Sequence, residues 1–358
     1  MSRFLSRRHS ALAVYTPGEQ PQDMSYVKLN TNESPFPPTE AVRRAAEREA
    51  GRLQLYSDPE CVRLREKLAE VYGLSPEQVL MGNGSDELLN FAFMAFADER
   101  SPLVFPDITY GFYPVFAGLN HIPYTELPLR EDFSIRAEDY LGVNKTIVLA
   151  NPNAPTGMCL DLSEIERILS SNPDNAVIID EAYVDFGAES AVGLLGEYDN
   201  LIVIGTFSKS RSLAGARLGF CFAAPELIRE LNALKYCTNP YNVNRMTAAA
   251  GLAALEENGV YMDNCRVIAE NRRWTAERLA ELGFSVLPSG ANFVFAESQD
   301  IDGERLYLEL KRRGVLIRHF TRERIKNYNR ITIGTMEQMR IFIEKTREIL
   351  GAEQNAKS

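Results

Sequence analysis

The chain has 358 residues, 45% of them hydrophobic and 25% charged, the make-up of an ordinary globular protein with room for a large domain and a smaller one. Its formal charge of −10 speaks against a general nucleic-acid binder or a membrane-surface protein, so an anionic ligand needs locally placed arginines. No run approaches the ~18 consecutive apolar residues of a membrane span. The five cysteines, odd in number and without a CxxC pair, read as reduced thiols of a cytoplasmic protein, and three scattered histidines point to no metal site.

Along the chain, residues 1–38 are irregular and end in a proline cluster, Pro35, Pro37 and Pro38, which reads as an arm. From Thr39 helical stretches (39–50 and 60–72) lead to a short strand at 78–81, a Gly82-Asn83-Gly84-Ser85-Asp86 turn, and an apolar helix over 87–96. Strand-like runs recur at 103–105, 146–149, 176–179, 201–204 and 218–222, most of them separated by helical stretches. Alternation of this kind predicts an α/β fold whose sheet is mainly parallel, with crossover helices, over residues 39–245. After about residue 245 the pattern changes to a long helix at 262–282, a strand at 292–295, a helix at 303–313, strands at 315–320 and 330–333, and a last helix at 336–350. These predict a smaller α+β domain over 246–358, against which the arm packs.

The chemistry-bearing residues sit at the ends of these strands. Lys209 follows the 201–204 run in Thr206-Phe207-Ser208-Lys209-Ser210, and Arg217 comes eight residues later. A lysine in that position suits covalent attachment of an aldehyde cofactor, and hydroxyls with a fork-shaped guanidinium suit a phosphate. Asp180 and Tyr183 close the preceding run; an acid to hold a pyridine nitrogen protonated and a phenol to bond a ring oxygen suggest pyridoxal 5′-phosphate (PLP). The turn at Gly82–Asp86 can cradle an anion with its backbone N–H groups, and beside Asp86 those groups, not the carboxylate, must bind it. Tyr110 opens a helix where an aromatic can stack on a flat ring, and a core tyrosine is the plainer alternative. Arg318 and Arg330 lie in or beside C-terminal strands, while Arg322 and Arg324 read as exposed-face arginines.

Together these residues, with Lys28 to Pro35, Tyr56-Ser57-Asp58-Pro59, Asn151 to Gly157, Ser289 to Phe293 and Arg330 to Thr335, resemble the fold-type I PLP-dependent aminotransferases. Among these, the histidinol-phosphate aminotransferases are the nearest in pattern, and the similarity runs over nearly the whole chain. The resemblance implies a Schiff base at Lys209, a pyridinium partner at Asp180, and catalytic roles for both and for Tyr183. Tyr110 would stack on the ring, and Ser85, Asp86, Thr206, Ser208 and Arg217 would surround the phosphate. Tyr56 would reach the cofactor of the neighbouring subunit in a homodimer, and Tyr15, Arg318 and Arg330 would hold the anionic end of the substrates, L-histidinol phosphate and L-glutamate or 2-oxoglutarate. Threonine-phosphate decarboxylases and some aromatic aminotransferases share most of these motifs. One position departs from the pattern: Ala154 stands where relatives carry the Asn that bonds the ring oxygen. Either Asn153 reaches in from a shifted loop or Tyr183 holds that oxygen alone.

Overall fold

The structure, a computed structural model, describes residues 2–9, 12 and 14–357. Its centre is a seven-stranded sheet in the order Val79–Gly82, Gly219–Ala223, Leu201–Thr206, Val177–Asp180, Thr146–Ala150, Leu103–Pro106, Tyr124–Leu127. Gly219–Ala223 runs antiparallel to both of its neighbours, and every other pairing is parallel. The inner strands are continuous apolar runs because helices cover both faces. Val177, Ile179, Leu201 and Val203 enter one core, and Ile178, Ile202 and Ile204 enter the other. The edge strand Tyr124–Leu127 escapes the sequence reading for the opposite reason: it is half exposed and has no apolar run to announce it.

A second sheet, antiparallel, has four strands in the order Arg318–His319, Asn329–Thr332, Phe293–Ser298, Phe284–Val286. Helices Asn258–Glu281, Gly303–Arg312 and Met336–Lys357 cover it, with Leu279, Leu306, Leu310, Met339 and Phe342 in its core. The single strand expected over 315–320 is two pieces. Val315–Leu316 pairs in parallel with Val27–Lys28 of the N-terminal segment, and Arg318–His319 joins the four-stranded sheet. Leu29 is buried in the same core, so the N-terminal segment is fixed to the C-terminal elements where both border the cleft. Among the described residues, no helix is long and apolar enough to cross a membrane.

Candidate active site

A cleft of about 820 Å³ opens beyond the carboxyl ends of the parallel strands, and residues of both sheets and of the N-terminal segment line it. Ligands of open α/β sheets sit at this end because the strand termini and the following turns present side chains and free backbone groups there. Asp180 ends one strand and Thr206 ends the next, with Lys209 in the turn that follows. Adjacent parallel strands in register, with Asp180 beside Ile204, put the acid and the lysine turn on the same lip.

Lys209 Nζ donates to the carbonyl of Thr31 at 3.2 Å and lies 5.7 Å from the centre of the Tyr183 ring. Burial, with the positive charge of Arg330 nearby, lowers its pKa to about 8, against the pull of Glu33 and Asp86. An amine so tuned keeps a useful share of free base near neutrality and is a competent nucleophile and proton carrier. Asp180 is only 5% exposed; it accepts from the Tyr113 hydroxyl at 2.9 Å and the Ala182 N–H at 3.2 Å. Burial raises its pKa to about 6 in spite of those two bonds. A protonated ring nitrogen against this carboxylate would offset its desolvation.

The turn before helix Ser85–Phe96 forms a cradle with Arg217 across it. Gly84 has φ 84°, which other residues rarely adopt, and a Cβ there would lie 2.6 Å from Arg217 Nη2 and push the guanidinium aside. Arg217 itself is held at φ 55°, in the left-handed region that costs a non-glycine residue energy and that often marks a functional position. The Asp86 carboxylate is taken by the Tyr110 hydroxyl at 2.8 Å and by Arg217 at 3.1 Å. The backbone N–H groups of the helix start and the Ser208 hydroxyl, which accepts from Thr206 Oγ1 at 2.9 Å and so keeps its own hydrogen, are thereby left for an anion. Ser85, Tyr110, Tyr183, Thr206, Ser208 and Arg217 all line the cleft.

On the opposite wall, Arg318 and Arg330 are directly paired across two antiparallel strands. Two like charges in register repel, and the arrangement is unfavourable until an anion sits between them. Arg330 Nη2 donates to the Asn30 carbonyl at 3.0 Å, but its Nε is buried without a hydrogen-bond partner, and burial pushes the guanidinium pKa below its ordinary value. Such an unmatched buried donor calls for an anionic acceptor. Arg318 donates to the Thr16 and Pro17 carbonyls, and Tyr15, its pKa raised by burial, stands on the same wall.

Two predicted site residues lie elsewhere. Asn153 does not reach the cleft: it is 1% exposed, accepts from the Thr109 hydroxyl at 2.8 Å, and donates to the Ile108 carbonyl at 3.0 Å and the Thr156 hydroxyl at 3.1 Å. One residue away from Ala154, its side chain ties its own loop, at Thr156, to the Ile108–Thr109 turn. Tyr56 is 78% exposed, stacked on Tyr241 with ring centres 4.5 Å apart, and does not line the cleft of its own chain. Two arginines expected on an exposed face act as tethers as well: Arg322 is exposed as expected and Arg324 is half-buried. Arg322 lines the cleft, donates to the Asp107 carbonyl and pairs with Glu126 at 3.5 Å; Arg324 donates to the Leu129 and Arg130 carbonyls. Sequence reasoning also missed Tyr113, Asn32 and Arg211. The first holds Asp180 from within a core helix, where an apolar pattern hides a working hydroxyl. Arg211, 1% exposed and two residues after Lys209, pairs with Asp185 at 2.8 Å and donates to Asn258 Oδ1 at 3.0 Å, anchoring the lysine turn to helix Asn258–Glu281.

The half-buried lysine, the strand-end acid and the anion cradle at Gly84 fit PLP, and with this fold they define a fold-type I PLP-dependent enzyme. The signature of the family described as aminotransferase class I and II matches residues 25–345, and the chain belongs to that family. It is 47% identical to the histidinol-phosphate aminotransferase of Brachyspira hyodysenteriae over 98% of this chain and 99% of the relative. It is 44% identical to that of Clostridium acetobutylicum, over 98% of this chain and 100% of the relative. Among solved structures, the histidinol-phosphate aminotransferase of Sinorhizobium meliloti in complex with pyridoxal-5′-phosphate superposes with a TM-score of 0.83 at 25% identity, covering 91% of each chain.

Proposed function

We propose that the chain is a histidinol-phosphate aminotransferase of histidine biosynthesis, exchanging an amino group between L-histidinol phosphate and 2-oxoglutarate with PLP as cofactor. The observation that carries this reading is the in-register arginine pair, Arg318 and Arg330, facing a half-buried strand-end lysine across one cleft. When bound, PLP supplies an electron sink for the electron pair left at the substrate carbon. Lys209 would hold the cofactor through its Nζ, and the same Nζ would carry the proton from the substrate carbon and return it, base first and acid second. The Asp180 carboxylate would keep the ring nitrogen protonated, the Tyr183 hydroxyl would donate to the ring oxygen, and Tyr110 would stack on the ring. Ser85, Asp86, Thr206, Ser208 and Arg217 take the cofactor phosphate, Ser85 and Asp86 through their backbone N–H groups. Arg318 and Arg330, with Tyr15, bind the phosphate of one substrate and a carboxylate of the other, so one wall serves both half-reactions.

In this reading residues 39–245 are the cofactor domain, 246–358 the smaller domain, and 1–38 the arm. The enzyme works in the cytoplasm as a homodimer in which Tyr56 serves the partner's cofactor. The exposure of Tyr56, with Leu53 and Leu55 bare beside it, supports that placement. A substrate panel tests the assignment: amino transfer to 2-oxoglutarate from histidinol phosphate, phenylalanine and tyrosine, with carbon dioxide release from threonine phosphate scored in parallel. Histidinol phosphate is expected to give the highest kcat/KM. Faster carbon dioxide release from threonine phosphate would contradict it.

A further inference from the structure

Asn32 is 1% exposed, lines the cleft, and is held at φ 56°, a left-handed conformation that asparagine tolerates better than most residues. Its surroundings fix not only its position but the sense of its amide. The backbone N–H of Asn32 donates to Thr332 Oγ1 at 2.9 Å, so the single hydroxyl hydrogen of Thr332 remains to donate to Asn32 Oδ1, 3.0 Å away. With Oδ1 claimed, the Nδ2 end faces the Tyr183 hydroxyl at 3.0 Å and must donate to it. The Asn32 carbonyl in turn accepts from Asn292 Nδ2 at 2.9 Å, which pins the backbone.

We infer that Asn32 is a positioning residue for the phenol of Tyr183: by donating to the phenolic oxygen it obliges the Tyr183 hydroxyl to present its own hydrogen to the cleft, as a donor. A phenol can donate or accept, and left alone on this wall it could turn its hydrogen onto any acceptor nearby. The relay Thr332 to Asn32 to Tyr183 removes that choice. Ala154, on the same cleft, offers no polar side-chain atom that could substitute for it. Burial raises the Tyr183 pKa, while Arg330 and the bond from Asn32 pull it back, the direction expected of a donor aimed at the phenolic oxygen. The inference rests on the PLP reading in one respect: the acceptor that meets the Tyr183 hydroxyl is then the ring oxygen of the cofactor.

The test uses Asn32→Gly, which suits the left-handed backbone and removes only the amide, and Thr332→Val, which removes both Thr332 bonds to Asn32 and so frees its amide while the Asn292 bond still holds its carbonyl, with Thr332→Ser as the conservative control. The first readout needs no cofactor. With fluorotyrosine incorporated and the Tyr183 signal assigned by its loss in Tyr183→Phe, the fluorine resonance should titrate about half a unit to one unit higher in Asn32→Gly than in the parent protein, the size of one hydrogen bond. The second is the pH midpoint of the bound cofactor's absorbance change. A bond donated to the ring oxygen favours the deprotonated form, so Asn32→Gly and Thr332→Val should both raise the midpoint, Thr332→Ser should restore it, and Asn32→Gly should add nothing in a Tyr183→Phe background. An unmoved Tyr183 titration, or a cofactor shift of equal size with and without Tyr183, would overturn the inference. Should the parent protein take up no PLP, the proposed function falls, and the Tyr183 titration still decides the role of Asn32.

Discussion

The two walls of the cleft are built in different ways. The cofactor wall comes from consecutive strand ends of one parallel sheet: Asp180 and Thr206 terminate neighbouring strands, and Lys209 and Arg217 follow within the next turns. The opposite wall is assembled from distant pieces of chain. Arg330 meets Asn30 across 300 residues, Arg318 meets Thr16 across 302, and Asn32 meets Thr332 across 300. One wall is fixed by the core of a doubly covered sheet. The other depends on a strand of only two residues, Val27–Lys28, keeping its register on Val315–Leu316. On the proposed function, rigid parts would hold the group common to a whole class of enzymes, and the part that would select a substrate is where long-range packing sets the geometry.

That contrast can be sharpened by removing charge from the second wall alone. Arg330→Ala should lower kcat/KM ten- to over a hundredfold for both glutamate and histidinol phosphate, corresponding to a charge-assisted pair of about 1.5–3 kcal/mol. The protein should still bind the cofactor and stay yellow, because no group of the cofactor wall is removed, while the pH midpoint of its absorbance should rise, since the Arg330 charge also acts on Lys209 and Tyr183. Arg330→Lys should recover part of the loss, since an ammonium cannot reproduce the planar fork. Steady-state kinetics on both substrates check this, and parent-like constants for Arg330→Ala would break the division between the walls.

A smaller effect belongs to Arg322, whose contact with Glu126 is long and half exposed. Pairs of this kind contribute roughly 0–1 kcal/mol, so Arg322→Ala should change kcat/KM by no more than about fivefold. A loss as large as that of Arg330→Ala would move the anion site toward the cleft mouth.

The same contrast explains what could be read from the sequence. Lys209, Asp180, Tyr183 and Arg217 were legible because each lies within a few residues of an apolar strand that places it; the periodicity and the chemistry are local. Arg318 and Arg330 were visible as strand arginines, but their opposition is a matter of register between strands joined by a nine-residue connection, and no local pattern states it. The 315–320 run looked like one strand because its apolar residues are contiguous, yet its two halves pair in different sheets. Asn153 was misplaced because a one-residue offset in a loop turns a side chain to another side, which sequence spacing cannot resolve. Arg322 and Arg324 are at least partly solvated as read, but their tethering was not legible because their acceptors are backbone carbonyls of distant segments, a kind of partner that leaves no mark in the sequence.

The central claim is that Lys209 carries the cofactor on the wall built by the parallel sheet. Reducing the PLP-loaded protein with borohydride, digesting it and locating the modified lysine by mass spectrometry tests that claim directly. The account predicts that the yellow absorbance is lost and that the pyridoxyl group is found on Lys209. A pyridoxyl group on any other lysine would contradict it.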